Sequence, residues 1–250
     1  MLIGARQGCV AADDLPAKMK VLADLGYDFL ELALTREEIA GLEADSAEPY
    51  LEWTRSTGLP ILSTSMGHFP GYAAKSASER REIQDHIRRL IAFTRAVGAD
   101  SILLAVSEES PKVSDYLGIY RDELRPLADE ALAAGITLAL EHVGWYKPHT
   151  LARLVRAIDH PAVGIYFDMG NCLYVGEDPI AQARICAPLT VQLHIKGGPT
   201  TPLGAMPLVE IRRILEDAGF QNRGCLEIPA TPGNRHLAEA RGLLKMAGYC

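Results

Sequence analysis

The sequence has 250 residues, 48% of them hydrophobic and 23% charged, with a formal net charge of −7 at pH 7. This composition supports a large packed core and excludes a disordered chain, and the length is typical of a single (β/α)8 barrel. The acidic balance, with no Lys/Arg-rich run, excludes nucleic acid as the habitual partner, and no run of 18 apolar residues offers a membrane span.

Short apolar runs alternate with longer amphipathic stretches along the whole chain. In chain order the strand-like runs are Leu2–Val10, Asp28–Leu34, Leu59–Met66, Ser101–Ser107, Ile136–Val143, Val163–Asp168, Leu189–Lys196 and Gly224–Pro229. Most carry apolar residues on both faces, as strands buried between helices and a core do. Helix-like stretches lie between them, such as Asp14–Leu25, Ser78–Val97, Ser114–Ala134 and Pro207–Ala218. Gly26, Gly98, Gly135 and Gly219 each follow such a stretch, where a helix closes in the left-handed conformation that glycine tolerates. Helix, glycine, strand, repeated about every 30 residues, is the mark of βα units. Eight of them predict an α/β fold closed into a (β/α)8 TIM barrel. An open doubly wound sheet is the alternative, but the first strand is not followed by G-x-G-x-x-G. Nothing resembles a linker, so residues 1–250 read as one domain.

The first nine residues lack a charged region followed by a long apolar stretch. The five cysteines, Cys9, Cys172, Cys186, Cys225 and Cys250, include no C-x-x-C pair. They read as reduced thiols, and the cytoplasm is the expected compartment.

The last four strand runs each end on a potential metal ligand: Glu141 in Leu-Ala-Leu-Glu-His, Asp168 in Ile-Tyr-Phe-Asp-Met-Gly-Asn, His194 in Val-Gln-Leu-His-Ile-Lys, and Glu227 in Cys-Leu-Glu-Ile-Pro. They lie roughly 30 residues apart, about one βα unit each, so a barrel brings them to its carboxyl-terminal face, where active sites form. Three clustered carboxylates oppose one another's ionisation unless a cation compensates them. Oxygen-rich ligation with one imidazole suits one divalent ion, Mn²⁺, Mg²⁺ or Co²⁺, with Zn²⁺ also compatible. The plain alternative for each residue is a salt bridge or cap at a strand end.

These four segments, in this order, resemble the xylose isomerase-like superfamily of barrels, the sugar phosphate isomerases and epimerases. The resemblance covers the layout of the whole chain, and its motifs lie in the second half. It implies that Glu141, Asp168, His194 and Glu227 hold a single metal, and that Glu141 and Glu227 form an acid–base pair. Their strands stand roughly 135° apart around an eight-stranded ring, so the two can flank a sugar. The implied reaction is epimerisation or aldose–ketose isomerisation of a sugar or sugar phosphate through a metal-stabilised enediolate. A lyase acting on a keto-inositol, dehydroshikimate or related polyol is the alternative. Apurinic-site DNA repair, also found in the superfamily, needs further histidines that Asn171 and Leu103–Ser107 do not supply. Relatives are often dimers or tetramers, so a homodimer or homotetramer is implied, but no apolar stripe marks an interface.

Further candidates surround these four. Lys196, two residues after His194, shares its interior side and can meet a substrate oxygen or phosphate. Asn171 stands where several ketose epimerases carry a substrate-binding histidine. Glu31, at the end of the second strand, is a candidate substrate contact or buried ion-pair member. His68 is a candidate pocket residue, and Trp145, in the loop after the fifth strand, a candidate lid or sugar-stacking wall. Gly197–Thr201 has the flexibility to hold an anion. His142 should point to the helix layer in a structural role. No G-x-S-x-G elbow or Walker-type loop supports covalent serine chemistry or nucleotide binding.

Overall fold

The computed structural model describes residues 1–66, 71–107 and 115–250. Strand and helix alternate as β1 (Leu2–Arg6), α1 (Leu15–Asp24), β2 (Phe29–Leu34), α2 (Arg36–Ala40), α3 (Glu48–Thr57), β3 (Ile61–Met66), α4 (Ala77–Ala96), β4 (Ser101–Val106), α5 (Tyr116–Ala133), β5 (Thr137–His142), α6 (Pro148–Ile158), β6 (Val163–Asp168), α7 (Met169–Tyr174), α8 (Pro179–Cys186), β7 (Thr190–Ile195), α9 (Leu208–Asp217), β8 (Arg223–Leu226) and α10 (Arg235–Met246). All strand pairings are parallel, and β8 returns to pair with β1, which closes the barrel. This is the (β/α)8 TIM barrel that the alternating pattern predicts. Gly26, Gly98, Gly135 and Gly219 all have positive φ, as their places at helix ends require.

The apolar core forms two shells. The larger lies between the strands and the helices. The smaller fills the barrel interior with Phe29, Leu103, Ala105, Ala139, Tyr166 and Cys225. Gly4 makes room for this inner shell, because a Cβ there would stand 2.5 Å from the Phe29 ring. Among the described residues, no helix is long and apolar enough to cross a membrane.

Two strand boundaries differ from expectation in ways that matter for the site. The first strand stops at Arg6, not Val10: Gln7–Cys9 turn into a short 3-10 helix, and the Gln7 amide donates to the Ala33 carbonyl at 2.9 Å. Cys9 and Val10 are buried under the rim, so their apolar character imitates a longer strand. The last strand is assigned to Leu226, although the Glu227 N–H still donates to the Ile195 carbonyl at 3.1 Å. Glu227 therefore sits at the barrel mouth, one step beyond the regular ladder.

Candidate metal centre

β5, β6 and β7 end within or one residue past a polar side chain that faces the barrel axis, and β8 runs directly into another. Glu141, Asp168, His194 and Glu227 each present a ligand atom, and these atoms lie within 4.8 Å of one another. From His194 Nδ1 the distances are 2.7 Å to Glu141 Oε1, 3.5 Å to Glu227 Oε2 and 3.6 Å to Asp168 Oδ2. Strand register sets this geometry: Asp168 pairs with His194 across β6 and β7, and His194 with Cys225 across β7 and β8.

Asp168 divides its carboxylate between two tasks. Oδ1 accepts the Asn171 N–H at 2.8 Å and caps α7, which starts immediately after β6. Oδ2 is buried without a hydrogen bond, although the Lys196 ammonium lies 2.8 Å away, close but poorly aligned to donate. A buried carboxylate oxygen short of a well-aligned donor, beside other carboxylates, is one that a cation satisfies. The hard oxygen donors and single imidazole fit a divalent ion.

His194 is held for that role. Its ring is fully buried, and Nε2 meets Glu31 Oε1 at 3.1 Å while Nδ1 faces the other carboxylates. A carboxylate on the far nitrogen fixes the tautomer that leaves the near nitrogen free to ligate. Burial alone would lower the imidazole's proton affinity, but Glu31, Glu227 and Glu141 hold it well above the usual histidine range. Burial pushes the Glu141 carboxyl up to about 7, with His194 opposing and Asp168 and Glu227 reinforcing the rise.

Glu31 is fully buried, and its carboxylate accepts Ser63 Oγ at 3.0 Å and the Tyr166 hydroxyl at 2.6 Å as well as meeting His194. Burial opposes its ionisation, but His194, Arg6 and these donors hold it down to about 2. It lies beneath the four-residue cluster, with no surface to offer a substrate. Gln192 extends this layer, donating to the Tyr166 hydroxyl at 2.9 Å and to Ser63 Oγ at 3.2 Å.

Two cations meet at Glu227. The Lys196 ammonium lies 2.6 Å from Oε2, and Arg6 bonds Oε1 through Nη1. Arg6 Nε is also 3.8 Å from Glu31 Oε1. No motif singles out Arg6; the usable signal is its place at the end of β1, in register with Glu31 and in phase with interior-facing Gly4. Gly170 lets the Lys196 segment pass, since a Cβ there would lie 2.3 Å from the Gly197 carbonyl oxygen and 2.5 Å from Lys196 Cγ. A cavity of about 640 Å³ opens beside these groups, lined in part by Arg6, Lys196, Glu227, Cys9, Gly198 and Tyr174.

The other candidates lie elsewhere. Asn171 turns its side-chain amide to the His142 carbonyl at 2.9 Å and does not line this cavity. A helix that begins directly at Asp168 draws Asn171 into its first turn. Trp145 is 78% exposed and also outside the cavity lining. Gly197 and Gly198 do line it, but the Gly198 N–H is engaged by the Thr201 carbonyl at 2.8 Å. His142 is fully buried, as its phase along β5 predicts, with neither ring nitrogen hydrogen-bonded; burial pulls its pKa down to about 4. His68 lies outside the described residues.

The sequence pattern described as xylose isomerase-like TIM barrel matches residues 19–246. Among curated proteins, 3-oxo-isoapionate decarboxylase of Pectobacterium atrosepticum is 32% identical over 114 residues, 45% of this chain and 40% of that protein. The 3-dehydroshikimate dehydratase of Pseudomonas putida is 24% identical over 171 residues, 67% of this chain and 26% of that protein. The matches therefore span well under half the length of these curated relatives. Among solved structures, 3-keto-D-glucoside 4-epimerase from Escherichia coli superimposes with a TM-score of 0.79 at 17% identity, covering 100% of both chains. The IOLI protein, solved with a zinc atom bound, gives 0.77 at 18% identity, covering 99% of this chain and 96% of that one. With the closed eight-stranded barrel and a family pattern running along nearly its whole length, the chain belongs to the xylose isomerase-like TIM barrel family.

Proposed function

We propose that this chain is an enzyme that holds one divalent ion on Glu141, Asp168, His194 and Glu227 and moves a proton at the carbon beside a sugar carbonyl. It is read as an epimerase or isomerase of sugars or sugar phosphates. The observation that carries the reading is the convergence of these four donors, from four successive strand ends, within 4.8 Å. The bound ion supplies Lewis-acid polarisation of the substrate carbonyl, which makes the neighbouring C–H acidic.

The chain's own residues supply the rest. Glu31 fixes the His194 ring, and Asp168 is anchored through its helix-capping oxygen. Glu141 reaches the cluster 2.7 Å from His194 Nδ1 and is one of the two carboxylates placed to act as acid or base. Glu227, the second, lines the cavity. One glutamate takes the proton from the carbon, and the other returns a proton to the opposite face. Return to the adjacent carbon instead gives aldose–ketose isomerisation. Lys196 is the substrate-facing cation. Asn171 and Glu31 act by positioning, the one through α7 and the other through His194.

A second reading, a lyase, is favoured by the Lys196 ammonium beside Glu227, a donor able to steady an enolate oxygen or a departing hydroxyl. The matches to a dehydratase and a decarboxylase support keeping it. Incubating the Mn²⁺-loaded protein with a panel of ketoses and keto sugars in deuterated water separates the two. The expected result is deuterium at a carbinol carbon with no loss of water. An unsaturated or shortened product establishes the lyase reading instead, and no exchange in any sugar counts against both.

A further inference from the structure

We infer that the substrate of this site carries a carboxylate directly beside its carbonyl carbon, held by Lys196 and Arg6. This assignment rests on the metal-dependent reading above and names the substrate class within it, a keto sugar acid rather than a neutral ketose.

The argument begins with what Lys196 touches. Its ammonium lies 2.8 Å from Asp168 Oδ2 and 2.6 Å from Glu227 Oε2. Both oxygens belong to the four-residue donor set within 4.8 Å. An ammonium has three donors and no acceptor, and a metal-bound carboxylate oxygen keeps a lone pair for one of them. The ion pairs of Lys196 to Asp168 and Glu227 leave one donor for a further anion. The Lys196 side chain is only 18% exposed, so this remaining donor is largely desolvated and favours an anionic acceptor.

Three observations say where that anion comes from. First, Lys196, Arg6 and Glu227 all line the one cavity of about 640 Å³ that opens at the donor set, so the ammonium turns toward bound substrate. Second, Arg6 places a planar guanidinium on the other oxygen of the same glutamate. Ammonium and guanidinium thus stand side by side around the Glu227 carboxylate, and the arginine fork has further N–H donors to offer the two oxygens of a substrate carboxylate. Third, both cations touch the proposed proton-transfer residue itself, so the group they meet lies close to the carbon whose bonds change, across the carbonyl from it. A phosphate at the far end of a sugar chain lies several bonds from that point. The loop best suited to a phosphate has its Gly198 N–H already engaged by Thr201.

The test uses two sugars that differ only at this position. 2-Keto-D-gluconate has a carboxylate where D-fructose has a hydroxymethyl group, beside the same carbonyl; D-fructose 1-phosphate puts a phosphate there. Mn²⁺ binding to the metal-free full-length chain is measured first by calorimetry, and then each sugar is titrated into the Mn²⁺-loaded protein. The expected result is binding of 2-keto-D-gluconate about 10- to 100-fold tighter than D-fructose, the range of one charged hydrogen-bonded contact. The preference should vanish in Lys196→Met and be restored at least in part in Lys196→Arg, with Mn²⁺ uptake retained in both. Equal affinities, a preference for fructose, a preference for the phosphate or no measurable binding of the acid each overturns the assignment. Mn²⁺ uptake without a preference for the acid removes this inference and leaves the metal centre standing. No Mn²⁺ uptake removes the metal centre, and the inference falls with it.

Discussion

Glu141→Gln and Glu227→Gln should each lower deuterium exchange into a responsive sugar by about 10²- to 10⁴-fold, the range for removing a positioned acid or base. Glutamine keeps the volume and most hydrogen-bonding capacity of each side chain but cannot accept the proton. The two variants should differ in stability. Glu141 is buried among like charges, and its carboxyl rises from 4.5 to about 7 in the folded protein. A group raised in this way favours folding when protonated, so its contribution is present below about 4.5 and is lost as pH rises through about 7. Above that, glutamine at 141 removes a buried charge that Asp168 and Glu227 oppose and only His194 offsets, and metal-free Glu141→Gln should unfold no earlier than wild type. Glu227, 25% exposed and already neutralised by Arg6 and Lys196, offers no such relief. Its replacement should leave two half-buried cations short of a partner and lower stability modestly. Exchange within a factor of two or so of wild type in either variant would remove that residue from proton transfer.

The second large effect is expected at a residue that touches neither metal nor sugar. Glu31→Gln should weaken Mn²⁺ binding about 10- to 100-fold, as loss of a carboxylate behind a ligating histidine does. The physical link is one hydrogen bond: Glu31 Oε1 meets His194 Nε2 at 3.1 Å and so leaves Nδ1 as the nitrogen that faces the other donors. An amide in its place turns a donor toward Ser63, Tyr166 or His194, all of which donate to Glu31. Glu31→Leu should also destabilise the fold by about 3–5 kcal/mol, because it strands these buried donors inside the barrel. Calorimetric titration with Mn²⁺ and urea unfolding read the two effects separately. Unchanged Mn²⁺ affinity in Glu31→Gln would show that the ring is held by packing alone, for which the Tyr166 ring, 4.3 Å from it, is the available neighbour.

The barrel was legible in the sequence because three signals coincide: buried apolar runs, amphipathic stretches and a glycine after four of the helices. The convergence of the four donors was legible because strand ends at βα spacing must meet at one face, whatever the loops do. The layer beneath it was not. Tyr166 and Gln192 each stand two residues before a proposed ligand, in the same inward phase, but a lone polar residue inside an apolar strand does not announce its partners. Only closure brings Gln192 to Ser63, 129 residues away in sequence. Arg6 was hidden by the apolar run through Val10, which made it look mid-strand when it ends β1 at the mouth. Asn171 and Trp145 show the opposite limit. Spacing carries them to the correct end of the barrel, but it does not say that Asn171 will turn to the His142 carbonyl or that Trp145 will stand in solvent.

The most direct test of the metal centre is the metal content of the chain purified without chelators and then incubated with Mn²⁺ and desalted, measured by elemental analysis beside His194→Ala. The four-donor centre predicts one divalent ion per chain in the wild type and a large loss in the variant, with both proteins folded. A folded wild-type protein that retains no stoichiometric ion, or a variant that retains as much as wild type, would contradict it.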